Sequence, residues 1–263
     1  MLQTWDYIKI LVETYLERIC EKHLDTWMNI GCNKATTLLP NKKELIQGFL
    51  AAINDNDLDA QVRLEKEMGF GYRSGVGEAI FAMVTARPEA AHTVTRLSQH
   101  NVCPYKLHYA GICHLLKYLF ATRADGIFYW QARPHMALPA TPAPRINSNM
   151  HDLLLYGRAL HGPSDMYSYM DAEWATCPIT RRLMGGGFIM IAGGAVDWKV
   201  QLLPTVAMSL TEAEYTEAAV MGRMYLYCRS VMWDLGVPQC SATIAYEDNA
   251  ACTMMAQAQK TTP

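Results

Sequence analysis

Three carboxylates, delivered by three separate segments, are the residues best suited to chemistry. Glu214 lies in Thr205-Val-Ala-Met-Ser-Leu-Thr-Glu-Ala-Glu-Tyr-Thr-Glu-Ala-Ala, which leads from a strand into a helix with two carboxylates in its first turn. Asp171 ends a strand-like run in Tyr167-Ser-Tyr-Met-Asp-Ala-Glu-Trp-Ala. Asp248 follows the apolar run Ala242-Thr-Ile-Ala-Tyr, within Glu247-Asp-Asn-Ala-Ala. Each therefore sits at a strand end or a helix start. Oxygen ligands drawn from several elements suit a hard divalent cation, with positions left over for water and substrate phosphate.

Each carboxylate also fits a purely structural role. Asp171 is a reasonable turn residue at a strand end. Glu214 completes a capping box with Thr211, but Ser209 and Glu212 make an equally good box that would free Glu214 to face a sheet. The sequence does not choose between these registers. Asp248 fits the N-cap of the last helix, a role compatible with ligation because caps and ligands both belong at a strand-to-helix junction.

The elements that must position these residues follow from the periodicity. Strands are predicted over Tyr167 to Ala172, Gly186 to Ala192, Ala195 to Val200 and Ala242 to Tyr246, with glycine turns at Gly185-Gly-Gly and Gly193-Gly. Helices are predicted over Thr211 to Leu235, closed by Gly236 and Pro238, and over Asn249 to Gln257. Three strands, a helix, a strand and a helix specify an α/β domain with a mixed sheet.

The first half reads differently. Apolar residues recur at helical spacing over residues 4–29, 45–53, 60–98 and 105–122, and a short strand follows at Asp125-Gly-Ile-Phe-Tyr-Trp. The glycines of Gly69-Phe-Gly-Tyr-Arg-Ser-Gly-Val-Gly lack the spacing of a phosphate-cradling loop and follow no strand, so they predict close helix packing over small residues. Thr85-Ala-Arg-Pro forces a helix boundary before Pro88. Four prolines between Ala132 and Asn149 mark a linker. The organisation expected is a helical segment over 1–131, a Pro-rich linker over 132–164 and an α/β domain over 165–263.

With 263 residues, 51% of them hydrophobic and 18% charged, the chain has the composition of a globular protein with a sizeable core. Its net charge of -2 divides unevenly: residues 1–164 carry 17 Lys+Arg against 15 Asp+Glu, and residues 165–263 carry 6 against 10. Neither part is basic enough to bind nucleic acid by charge alone, so such binding needs local patches or bridging metal ions. The eight cysteines show no Cys-x-x-Cys pair and no zinc-like spacing to histidine, which predicts reduced thiols. The N-terminal residues lack a basic n-region and a long apolar core, and no apolar run reaches the ~18 residues of a spanning helix, so neither a signal peptide nor membrane association is expected.

Several of these segments, in order, carry a resemblance. Met170-Asp-Ala-Glu-Trp-Ala, Thr180-Arg-Arg, Trp198-Lys, Leu203-Pro-Thr-Val-Ala-Met-Ser-Leu-Thr-Glu-Ala-Glu-Tyr and Glu247-Asp-Asn resemble the hallmark segments of the ribonuclease H domain of copia-type long-terminal-repeat retrotransposon polyproteins. Tyr72-Arg-Ser-Gly-Val-Gly, Ala86-Arg-Pro-Glu-Ala-Ala and Leu116-Lys-Tyr-Leu resemble the thumb and connection side of the same polyprotein's reverse transcriptase. Departures are Glu173 in place of a second Asp, Leu183-Met-Gly in place of a Ser/Thr-rich turn, and Leu210 in place of a serine.

The resemblance implies a ribonuclease H-like mixed sheet with helices, preceded by a mainly helical reverse-transcriptase thumb/connection remnant. It implies Asp171, Glu214 and Asp248 as ligands of two Mg²⁺ ions that hydrolyse RNA paired with DNA, and Arg181 and Arg182 as nucleic-acid contacts. The partners implied are an RNA/DNA hybrid and the rest of the Pol polyprotein, with no small-molecule cofactor. The location implied is cytoplasmic, in retroelement particles, with the nucleus as the alternative. The family's polymerase palm, with its Tyr-x-Asp-Asp motif, is expected before residue 1, and its fourth carboxylate is expected beyond Pro263. No polymerase activity is therefore expected, and hydrolysis is expected to be impaired. The alternative is a non-catalytic relic or co-opted fragment that binds nucleic acid or a protein partner.

Overall fold

Tyr7-Ile-Lys-Ile places β-branched and aromatic residues almost in succession, a composition that suits a pleated surface better than a helix. It forms a strand, which corrects the helix expected over residues 4–29. The computed structural model describes residues 1–29, 35–39, 58–131, 164–173, 183–203 and 209–258. Strand β1 (Leu2–Gln3) pairs antiparallel with β2 (Tyr7–Ile10), Leu2 opposite Lys9 and Gln3 opposite Ile8. Thr4 Oγ1 closes the turn by accepting from the backbone N–H groups of Asp6 and Tyr7. The helix, α1 (Glu13–Asn29), begins only after this hairpin. Strand β3 (Ile127–Trp130) completes a three-stranded sheet of order β1-β2-β3.

The chain divides into two compact units, residues 10–127 and residues 1–9 together with 128–263. The first unit is helical. It holds α1, α2 (Leu58–Met68), α3 (Tyr72–Ala86), a 3-10 turn at Pro88–Ala90, α4 (Ala91–Ser98) and α5 (Lys106–Ala121). Its core gathers Leu16, Val76, Ala79, Ala82, Leu97, Ile112, Leu115 and Leu119. The glycine-rich stretch serves this packing: a Cβ at Gly75 would come within 2.9 Å of the Phe70 ring and 3.4 Å of Ile112. Pro88 ends α3 at Ala86, and Arg87 becomes its C-cap.

The second unit carries a four-stranded sheet of order β6-β5-β4-β7, with β4 (Tyr167–Glu173), β5 (Met184–Ile191), β6 (Gly194–Leu202) and β7 (Ile244–Tyr246). Strands β4, β5 and β6 pair antiparallel in sequence, whereas β7 returns parallel to β4, Tyr167 opposite Ile244 and Tyr169 opposite Tyr246. Ala192 and Gly193 both take positive φ, 54° and 76°, the two-residue loop that matches strand twist in the β5–β6 hairpin. A parallel return needs a crossover, and α6 (Leu210–Asp234) supplies it; α7 (Ala250–Gln257) follows β7.

The sheet buries both faces. Met221 and Cys228 of α6 cluster with Met166 and Ile189 on one side. Tyr167, Tyr169, Met190 and Ala195 cluster on the other, with Phe188, Trp198 and Tyr246, each partly buried, packed against them. The chain is of mixed α/β class, with seven α-helices and two sheets among the described residues. The expected helix over 45–53, all of the Pro-rich stretch but Ser164, and Trp174, Arg181 and Arg182 lie outside the described residues. No described helix is long and apolar enough to cross a membrane.

Candidate metal centre

Parallel pairing of β4 with β7 ends at Tyr169 and Tyr246. Two residues further along each chain stand Asp171 and Asp248, brought side by side at one end of the sheet because the strands run the same way. Asp171 lies beyond the reach of β7, with only Gly186 of β5 opposite it. Asp248 is not the cap of α7. That role falls to Asn249, whose side chain accepts from the Cys252 N–H at 3.0 Å. Asp248 is exposed, and its carboxylate hydrogen-bonds with that of Glu247.

Glu214 arrives from α6, and the cap of that helix decides its direction. Ser209 is the N-cap, with extended φ -144° and ψ 159°, and its Oγ accepts from the Glu212 N–H at 3.1 Å. Glu212 is therefore the N3 residue and exposed, and the Thr211–Glu214 box is not formed. This phase gives α6 a buried stripe of Ala213, Glu214, Glu217, Val220 and Met221. Glu214 is only 2% exposed. The Ala172 backbone N–H hydrogen-bonds its carboxylate, yet Oε2 is buried with no hydrogen-bond partner.

One carboxylate oxygen from each of Asp171, Glu214 and Asp248 lies within 4.8 Å of the others. The electrostatic consequence is large. Glu214 is pushed up to about 8, first by burial, then by the carboxylates of Glu247, Asp171 and Asp248, against a lowering from the Ala172 N–H. Glu247 is pushed up to about 6, chiefly by burial and then by Asp248 and Asp171, although the Asn249 N–H opposes this. Like charges held this close, beside an orphaned buried oxygen, are unfavourable unless a proton or a cation joins them. An all-oxygen donor set with two exposed members fits a hard divalent cation that keeps water or phosphate on its open side.

The chain is 29% identical over 168 residues to the retrovirus-related Pol polyprotein from transposon TNT 1-94 of Nicotiana tabacum, covering 64% of this chain and 10% of that protein. It is 25% identical over 184 residues to the Pol polyprotein from transposon RE2 of Arabidopsis thaliana, covering 70% of this chain and 11% of that one. These likenesses support a retrotransposon Pol origin. The matched region is about a tenth of the length of either polyprotein. The secreted RxLR effector protein 161 of Plasmopara viticola is also 29% identical, over 144 residues covering 55% of this chain and 81% of the effector. No family model and no solved structure matches the chain.

Two acidic residues near this centre escaped the reading of the sequence. Glu247 passes for a flanking residue of Asp248, and only the strand end of β7 reveals that it is half-buried beside the trio. Glu217 looks like one more surface acid of α6. It is fully buried, neither of its oxygens has a hydrogen-bond partner, and a Cβ at Gly185 would overlap its Oε2. Burial pushes it up to about 7, against the charges of Lys199 and Arg223. Its signal was the helical stripe itself, since it follows Glu214 by three positions on the buried face.

Proposed function

We propose that residues 165–263 form a ribonuclease H-like domain that hydrolyses the RNA strand of an RNA/DNA hybrid with Mg²⁺, and that residues 1–131 derive from the C-terminal part of a reverse transcriptase. The observation that carries this is the convergence of Asp171, Glu214 and Asp248 within 4.8 Å from three elements separated in sequence. When bound, divalent cations supply an activated water and neutralise charge on the phosphate. Asp171 and Asp248 hold the exposed side of the site, where a backbone phosphate has access. Glu214, held by the Ala172 N–H, lines the buried side, where its Oε2 has no hydrogen-bond partner. The rest of a Pol polyprotein and the hybrid are the partners under this reading, and Arg181 and Arg182 are proposed phosphate contacts.

A second reading, a co-opted fragment without catalysis, is favoured by one observation. The effector of Plasmopara viticola shares 29% identity with this chain over 81% of its own length.

The test is cleavage of an end-labelled RNA/DNA hybrid in Mg²⁺ by the wild-type chain and by Asp248→Asn. Cleavage of the RNA strand that disappears in the variant and with chelator supports the enzyme. Equal cleavage by both overturns the site, and no cleavage by wild type, with the hybrid still bound, supports the second reading.

A further inference from the structure

The two faces of α6 differ in kind. Ala213, Glu214, Glu217, Val220 and Met221 make its buried stripe, and Met221 and Cys228 cluster with residues of the sheet. On the opposite side Tyr215, Ala219, Gly222, Leu226 and Trp233 follow one another at steps of three, four or seven residues, so they share one outward seam. That seam is open. Leu226 and Trp233 are each 71% exposed, Tyr215 and Tyr227 are exposed beside them, and a Cβ at Gly222 would meet no atom within 4 Å. Large apolar side chains gathered on one face of a helix, with a tryptophan among them, mark an interaction surface.

Charge and shape select what covers it. Arg223 and Asp234 flank the seam on the same side, with Tyr227 between them; both are exposed, and no salt bridge among the described residues uses either. In an antiparallel pair of identical helices related by a two-fold axis, residues on one side of the seam meet the same side of the other copy. An axis level with Tyr227 therefore sets Arg223 of each copy against Asp234 of the other, twice over. Helical side chains lean towards the N-terminus, so the same axis brings Trp233 of each copy over the open space at Gly222 of the other. A bulky group meets a gap and a cation meets an anion, both in one register.

We propose that the outward face of α6 is a homodimer interface, in which two copies of this chain pack their α6 helices antiparallel, Trp233 over Gly222 and Arg223 against Asp234. The interface is separate from the acidic centre, because Glu214 and Glu217 lie on the buried face of the same helix. A single pair of helices makes a small contact, so the dimer forms reversibly with concentration.

Analytical ultracentrifugation of the full chain over a concentration series tests it. Wild type is expected to pass from monomer to dimer, and Trp233→Ser to associate at least about tenfold more weakly. Arg223→Glu and Asp234→Arg each set like charges together at both ends of the contact, and each is expected to weaken the dimer about tenfold. An equimolar mixture of those two variants restores both ion pairs and is expected to recover wild-type association, a rescue that no defect of folding would produce. Gly222→Gln places a good helix former in open space, so it is expected to raise resistance to urea while weakening the dimer. A chain that stays monomeric at every concentration overturns the proposal and leaves the face to a partner of another kind. A dimer that survives Trp233→Ser at wild-type affinity overturns it as well, and so does a mixture that associates no better than either charge variant alone.

Discussion

Asp171 and Asp248 occupy matching positions, each two residues beyond Tyr169 and Tyr246, the last pair of the parallel β4–β7 ladder. Backbone pairing alone therefore sets these two carboxylates side by side. Glu214 reaches them by a different device, the phase of α6 fixed by Ser209 at its N-cap. A ladder and a cap, made from different residues, are independent determinants of one acidic cluster.

The cap is open to direct measurement. Ser209 Oγ satisfies the Glu212 N–H, one of the donors that the first turn of α6 leaves without an intrahelical partner. Ser209→Ala is expected to cost about 1 kcal/mol. Thr211→Ala, at the start of the box that does not form, is expected to stay within ~0.5 kcal/mol of wild type. Urea unfolding of both variants checks the order, and the reverse order would restore the Thr211–Glu214 register.

Gly185 and Glu217 form a second pair whose coupling is measurable. Gly185 stands opposite Ala172 in the β4–β5 ladder, and a Cβ there would overlap the Glu217 carboxylate. Gly185→Ala is expected to destabilise by about 1–3 kcal/mol through overpacking. Glu217→Ala removes the obstructing group. A double-mutant cycle should therefore show the Gly185→Ala penalty reduced by at least ~1 kcal/mol in the Glu217→Ala background. Additive effects would mean that the strain is relieved elsewhere.

The helical unit offers a contrast in how a buried charge is used. Arg87 is 1% exposed, and its guanidinium donates to the carbonyls of Leu119 and Thr122 at 3.3 and 3.1 Å and to Thr122 Oγ1 at 2.6 Å. Nε donates to Glu89 at 2.5 Å. A cation thus closes the C-terminal turn of α5, where carbonyls lack helical partners and the helix dipole favours positive charge. Arg87→Met is expected to cost about 2–4 kcal/mol and to lower hydrogen-exchange protection at the end of α5. Arg73→Met, which loses one exposed bond to Asn101 O, should cost under ~1 kcal/mol.

The sheet was legible because its strands alternate or run apolar between glycine turns. All four strands of the larger sheet, β4 to β7, fall within two residues of their expected limits at each end. The trio was legible as residue types at element ends. What periodicity could not reveal was which of two equivalent capping boxes forms, because Ser209 and Thr211 offer the same chemistry two residues apart. It also could not reveal Glu217, since a carboxylate on a helix is read as surface unless its depth is known. Residues 4–12 misled for another reason: Ile8, Leu11 and Val12 sit at helical spacing, but Ile8 belongs to a strand and Leu11 and Val12 to the short connection before α1.

Glu217 also predicts how stability responds to pH. Its ordinary value of 4.5 is raised to about 7 in the folded chain, so between those limits the folded state holds a proton that the unfolded state has lost. Stability associated with this group is fully present below about pH 4.5 and is lost as pH rises through about 7. The groups that act on it are Lys199 of β6 and Arg223 of α6, which favour its charged form, and Tyr225, which it raises in turn. Glu214 and Glu247 titrate in the same direction, so the useful readout is a difference between variants. Glu217→Gln should match wild type near pH 4.5 and become more stable than it by on the order of 1–3 kcal/mol at pH 8. Urea unfolding of the metal-free proteins across pH 4.5–8 measures that difference. A difference that stays constant over the range would mean that Glu217 ionises in the folded chain as readily as in water.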